Sequence, residues 1–134
     1  MAKTATEELL SRVPLLAGVS KKDIREISGL MTPIDLPAGR ELIHQGAGGN
    51  EFFIVLAGTA EVSVDGAVVA VCGAGDFFGE VALLEDRPRN ATVTAKTDIT
   101  VEVISRGEFA AFIRRRPDVG QQIRAAAADR HGRD

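Results

Sequence analysis

The chain has 134 residues, a net charge of −3 and a single cysteine. That length is expected to make one domain, 1–134, burying about two-thirds of its unfolded surface. The acidic balance argues against a nucleic-acid surface, one cysteine excludes an internal disulfide, and two histidines are too few for a His-rich metal site.

Helical patterning fills residues 1–31. Thr4 followed by Glu7 reads as a capping box, with Leu9, Leu10 and Val13 on one face. Pro14 interrupts. Ser20, with Asp23 after it, reads as a second N-cap ahead of Ile24, Ile27, Leu30 and Met31. The start, Met1-Ala2-Lys3-Thr4, lacks the apolar block of a signal peptide, and no apolar run is long enough for a membrane helix. The expected location is the cytoplasm, without membrane association.

Residues 32–104 change character. Glycines recur at turn spacings, and the segments between them carry strand patterns. Phe52–Leu56 is apolar throughout, as in a strand covered on both faces. Thr59–Val64 alternates, with Val62 and Val64 facing one way, and Asp65-Gly66 signals a two-residue hairpin leading into Ala67–Cys72. Cys72 ends an apolar run and reads as a buried structural thiol. Ala91–Lys96 and Ile99–Ile104 read as a last strand pair joined at Thr97-Asp98. Short strands with Gly turns predict a mainly β fold: an antiparallel β-roll of the jelly-roll type with flanking helices.

Residues 105–130 return to helix. Ser105 with Glu108 caps a segment carrying Phe109, Phe112 and Ile113. Arg114-Arg115-Arg116 reads as a solvated helix C-terminus, with a contact to a partner or to nucleic acid as the other reading. Pro117 opens a final helix with Val119, Ile123 and Ala126 or Ala127 on its inner face.

The segment 78–92 stands apart. Gly79 lets the chain turn sharply and lets a ligand approach the backbone. Glu80 to Leu84 then predicts one helical turn whose free N–H groups suit an anion. Val81, Leu83 and Leu84 would fasten it to the roll. Arg89 supplies a permanent charge in a fork that fits phosphate oxygens. Glu80 is an acceptor, so it suits a sugar hydroxyl instead. Spacing alone leaves open a simple surface ion pair between Glu80 and Arg89.

This segment resembles the phosphate-binding cassette of the cyclic nucleotide-binding domain family, found in catabolite activator proteins, protein kinase A regulatory subunits and cyclic nucleotide-gated channels. The family pattern, roughly F-G-E-(L/I/V)-A-L-(L/I)-x-x-x-P-R-x-A-(T/S), is matched without a gap from Phe78 through Thr92. Pro37-Ala38-Gly39, Gln45-Gly46 and Phe53-Ile54-Val55-Leu56-Ala57-Gly58 are similar to the family's early strands and turns. The resemblance implies that Arg89 pairs with the cyclic phosphate and that Glu80, beside the Gly79 backbone, accepts from the ribose 2′-hydroxyl. Val81, Ala82, Asn90 and Ala91 would complete the ligand site, with the Ala82 and Asn90 N–H groups in the phosphate cradle. A C-terminal lid helix of about 117–130 would close over the base, and Arg130 falls where bacterial potassium-channel domains of this family place a base-stacking arginine.

The implied function is a bacterial-type cAMP sensor, with cGMP as the other ligand, because Asn90 departs from the small or hydroxyl residue usual in relatives. No catalytic residue, metal or cofactor is expected, so the chain is not read as an enzyme. The competing readings are a degenerate domain kept for protein interaction and an enzyme on a cupin-like jelly roll, which two distant histidines do not support. An effector domain or partner protein and a homodimer are the partners left open.

Overall fold

A computed structural model describes residues 3–131 except 86, and the side chains of residues 6–128 apart from 86. Three helical pieces lead in: α1 (Lys3–Ser11), a 3-10 turn (Pro14–Leu16) and α2 (Lys21–Ser28). Eight strands follow: β1 (Thr32–Leu36), β2 (Glu41–Ile43), β3 (Glu51–Ala57), β4 (Ala60–Val64), β5 (Ala67–Cys72), β6 (Phe77–Phe78), β7 (Thr92–Ala95) and β8 (Ile99–Ser105). A short α3 (Glu80–Glu85) lies between β6 and β7, and α4 (Arg106–Arg115) and α5 (Pro117–His131) close the chain.

The strands form two four-stranded antiparallel sheets, ordered β1-β8-β3-β6 and β2-β7-β4-β5. β3 explains the layering. Phe52, Ile54 and Leu56 point into one apolar cluster with Leu10, Leu16, Ile24, Ile27, Phe109, Phe112 and Ile123 from the helices. Phe53 and Val55 point the other way, into a second cluster between the sheets with Phe78, Val93, Ala95, Val101 and Val103. A strand buried on both faces thus joins the helical layer to the roll, which is why its sequence is apolar without alternation.

The local signals at Ser20 and Ser105 hold. Ser20 accepts from the Asp23 amide at 3.1 Å, and Ser105 Oγ donates to the Glu108 carboxylate at 2.8 Å. Asp65 and Gly66 both take positive φ, 53° and 83°, as a type I′ hairpin needs. Pro117 is the first residue of α5, and Val119, Ile123 and Ala127 are its buried face. Cys72 is buried.

Three expectations are corrected. α1 already begins at Lys3, which places Thr4 inside the helix rather than ahead of it, and the Glu7 carboxylate lies 3.4 Å from Ser28 Oγ of α2. β7 and β8 are not paired with each other. β7 lies between β2 and β4, and β8 between β1 and β3, so Thr97-Asp98 carries the chain from one sheet to the other. The crossing is pinned to the β3–β4 crossing: Lys96 N donates to Thr59 O at 2.9 Å, and Thr59 N to Thr97 Oγ1 at 3.0 Å. Gly58 sits in that junction, where a Cβ would stand 2.2 Å from Asp98 O. The basic run is not simply solvated either. Arg115 pairs with Glu26, and Arg116 reaches Asp23 at 3.6 Å and Asp118 at 3.0 Å, tying the α4–α5 corner to α2.

β5 is an edge strand, and Val68, Val69 and Val71 are all more than half exposed. Its register against β4 slips between Val62 and Ser63, whose partners are Ala70 and Val68, leaving Val69 as a bulged residue.

Candidate functional site

A cavity of about 480 Å³ opens within the β2-β7-β4-β5 sheet, against β6 and α3. That volume lies within the usual range of small-molecule sites. One wall is apolar: Val62 and Val64 of β4, Val69 and Val71 of β5, and Ile43 and Val93. The opposite side is the 78–92 segment, which contributes Gly79, Glu80, Val81, Ala82, Arg89, Asn90 and Ala91.

The local sequence explains this wall. Phe78 ends β6 by pairing opposite Phe53 and stacking on it, ring centroids 5.1 Å apart. Gly79 then takes φ +96°, a backbone state that L side chains rarely adopt. The chain reverses into α3, whose Val81, Ala82 and Leu83 are buried. Being at the start of α3, Glu80, Val81 and Ala82 have N–H groups with no partner inside the helix. Leu83 packs into the helical cluster and Leu84 against it, which anchors α3 from behind.

Arg89 is 7% exposed, and its surroundings are built from three segments. Its backbone is clamped by the turn after β2: Gly46 N donates to Arg89 O and Arg89 N to Ala47 O, each at 2.8 Å. Its Nη1 donates to Gly79 O at 2.9 Å and its Nη2 to Glu51 O at 2.7 Å. The side chain passes directly over Gly49, where a Cβ would lie 2.3 Å from Nε and 2.4 Å from Cζ. Gly79 is tight for a related reason, since a Cβ there would lie 2.9 Å from Glu51 O and 3.0 Å from Nη1. Burial pushes the Arg89 guanidinium below its ordinary range; the Glu51 and Glu80 carboxylates oppose that shift, and Arg106 adds to it. An arginine nonetheless keeps its proton in a protein. The result is a fixed cation on the cavity wall, held by carbonyl oxygens rather than by a bidentate carboxylate.

Glu80 is 1% exposed and lines the same cavity. A buried carboxylate and a buried guanidinium on one wall are not the surface ion pair that spacing left open. Together they put a cation and a hydrogen-bond acceptor on one wall of the cavity, with an apolar wall opposite.

Seven of the eight sequence-predicted residues therefore meet at the cavity. The side chain of the eighth, Arg130, lies outside the described residues. The expected C-terminal helix is present as α5, but its described side chains line no part of the cavity; α5 packs against α3, α4 and the 3-10 turn. Sequence reasoning missed Gly49, Glu51 and Arg106. Gly49 was visible only as one glycine of a loop run, and Glu51 acts through its backbone carbonyl, which no side-chain signal reveals.

Residues 33–116 match the model of the cyclic nucleotide-binding domain, and the chain belongs to that family. It is 41% identical over 106 residues to a cAMP-dependent protein kinase regulatory subunit of Aspergillus fumigatus, covering 77% of this chain and 25% of the relative. It is 31% identical over 125 residues to a cyclic nucleotide-gated potassium channel of Rhizobium etli, covering 93% of this chain and 35% of the relative. The chain thus spans about a quarter to a third of these curated relatives. Among solved structures, cAMP-bound PfPKA-R (141–441) is similar with a TM-score of 0.82 and 27% identity, over 94% of this chain and 45% of that one. The two-sheet roll with flanking helices is the fold of these domains.

Proposed function

We propose that this domain is a regulatory sensor that binds cAMP in the β-roll cavity and catalyses no reaction. The observation that carries the reading is the pair Glu80 and Arg89, both buried and both on one cavity wall. Arg89 meets the exocyclic oxygens of the cyclic phosphate, helped by the N–H groups of Ala82 and Asn90. Glu80 accepts from the ribose 2′-hydroxyl beside Gly79. Val81 and Ala91 close the site, and the base lies toward Val62, Val64 and Val69. The cAMP-bound neighbour and the kinase regulatory relatives support this choice of ligand. Arg130 is the candidate to stack on the base.

Signal transmission runs through the C-terminal helices. α3 carries Glu80 and packs against α5, so a ligand that draws α3 inward favours a different seat for α5. Only a difference in affinity between those two arrangements can drive the shift. An effector domain or partner protein would read it.

Calorimetric titration of the chain with cAMP and with cGMP tests the reading. Saturable one-site binding, tighter for cAMP, is expected. No binding of either ligand below millimolar concentration would overturn it in favour of a domain kept for protein interaction.

A further inference from the structure

Arg106 is the first residue of α4 and takes no part in the cavity lining. Its side chain turns back into the roll and is half-buried. Nη2 donates to Gly49 O at 2.8 Å, and Nη1 reaches Leu83 O at a longer 3.4 Å. Three segments that are far apart in sequence meet on this one guanidinium: the turn between β2 and β3, the last turn of α3, and the start of α4.

Each of the two carbonyls belongs to a part of the wall that carries Arg89 and Glu80. Gly49 is the residue whose bare α-carbon makes room for Arg89. Leu83 lies in the last turn of α3, where carbonyls have no partner within the helix, and α3 carries Glu80. A planar fork can hold two carbonyls in fixed directions, whereas an ammonium acts as a point donor. Arg106 also places a second positive charge near Arg89, felt in the same direction as burial.

We propose that Arg106 is a positioning residue: it pins the Gly49 turn and the end of α3 to the first turn of α4, holding Arg89 and Glu80 in register before a ligand arrives. The pin also gives the site a mechanical connection to α4 that does not pass through the α3–α5 contact. Only its effect on ligand affinity rests on the reading of the cavity as a cAMP site; the pinning itself belongs to the ligand-free chain.

The test uses the ligand-free protein first. The Arg89 Nε–H resonance, the carbonyl carbon shifts of Gly49 and Leu83, and amide exchange along the chain are compared between wild type and Arg106→Ala. The expected result is a shifted and broadened Arg89 Nε–H signal, moved carbonyl shifts, and faster exchange at residues 48–50 and 83–85 with strand β3 unchanged. Binding of cAMP then weakens about tenfold, the worth of one charge-assisted hydrogen bond. Arg106→Lys recovers only part of each effect. An unmoved Arg89 signal with wild-type cAMP affinity would overturn the proposal, as would exchange that rises equally in every strand. If wild type itself fails to bind cAMP, the ligand reading falls, while the Arg89 and carbonyl signals still decide the pin. Should Arg106→Ala not fold, Arg106→Lys and Arg106→Gln carry the same comparison, since each places its donors on a single nitrogen and lacks the two splayed terminal nitrogens that reach Gly49 O and Leu83 O separately.

Discussion

Arg89 lies across Gly49 so closely that any β-carbon there would fall 2.3 Å from Nε. The obstacle is the rigid, hydrogen-bonded end of a buried side chain, which has no free direction to retreat: Nη1 is tied to Gly79 O and Nη2 to Glu51 O. Gly49→Ala should therefore displace the guanidinium rather than be absorbed. The expected cost is roughly 1–3 kcal/mol of stability, as for overpacking elsewhere. Weaker cAMP binding should accompany it, read by chemical denaturation and calorimetry. Gly48→Ala, where a Cβ meets nothing within 4 Å, is the control.

Arg89→Ala should weaken cAMP binding by roughly 2–5 kcal/mol, the range for removing one partner of a buried charge pair. Arg89→Lys should be rescued poorly. An ammonium cannot satisfy both carbonyls and still face the cavity as a fork. Equal affinities in wild type and both variants would remove Arg89 from its assigned role.

Glu80→Gln keeps size and one acceptor oxygen but loses the charge. Its expected effect on cAMP is about 1.5–3 kcal/mol, the worth of a hydrogen bond to a charged group. Against 2′-deoxy-cAMP the same substitution should cost almost nothing, because the hydroxyl it serves is gone. Additive losses in that double cycle would show that Glu80 serves another atom.

Ser20→Ala removes the acceptor for the Asp23 amide at the start of α2. A loss of about 1 kcal/mol in unfolding free energy is expected. The cavity lining contains no residue of α2, so cAMP affinity should be unchanged. A thermal melt and a titration of the same sample check both.

The candidate site was legible in the sequence because its chemistry is contiguous. Gly79, Glu80 and Arg89 belong to one short segment whose turn, helix and following strand are dictated locally. Ser20, Ser105 and Asp65-Gly66 were legible for the same reason: each acts within a few residues of itself. The supports of Arg89 were not. Gly49 and Glu51 meet it from another segment, one through its missing side chain and the other through a backbone carbonyl, which every residue type possesses, and Arg106 acts from α4 by holding the Gly49 carbonyl. The pairing of β7 with β4 rather than β8 was hidden because adjacency in sequence says nothing of which sheet a strand joins once Thr97-Asp98 crosses over.

The valine rim of β5 has a consequence for how the protein behaves at high concentration. An edge strand written Ala-Val-Val-Ala-Val-Cys has none of the lysines or prolines that commonly discourage neighbouring molecules from adding a strand. What it has is the extra residue, Val69, which breaks the even spacing of donors and acceptors along the rim. A foreign strand that matched the ladder before the bulge would be out of step after it. The bulge in the cavity wall thus also works against sheet growth along this edge, and straightening it by deleting Val69 would be expected to make the chain polymerise.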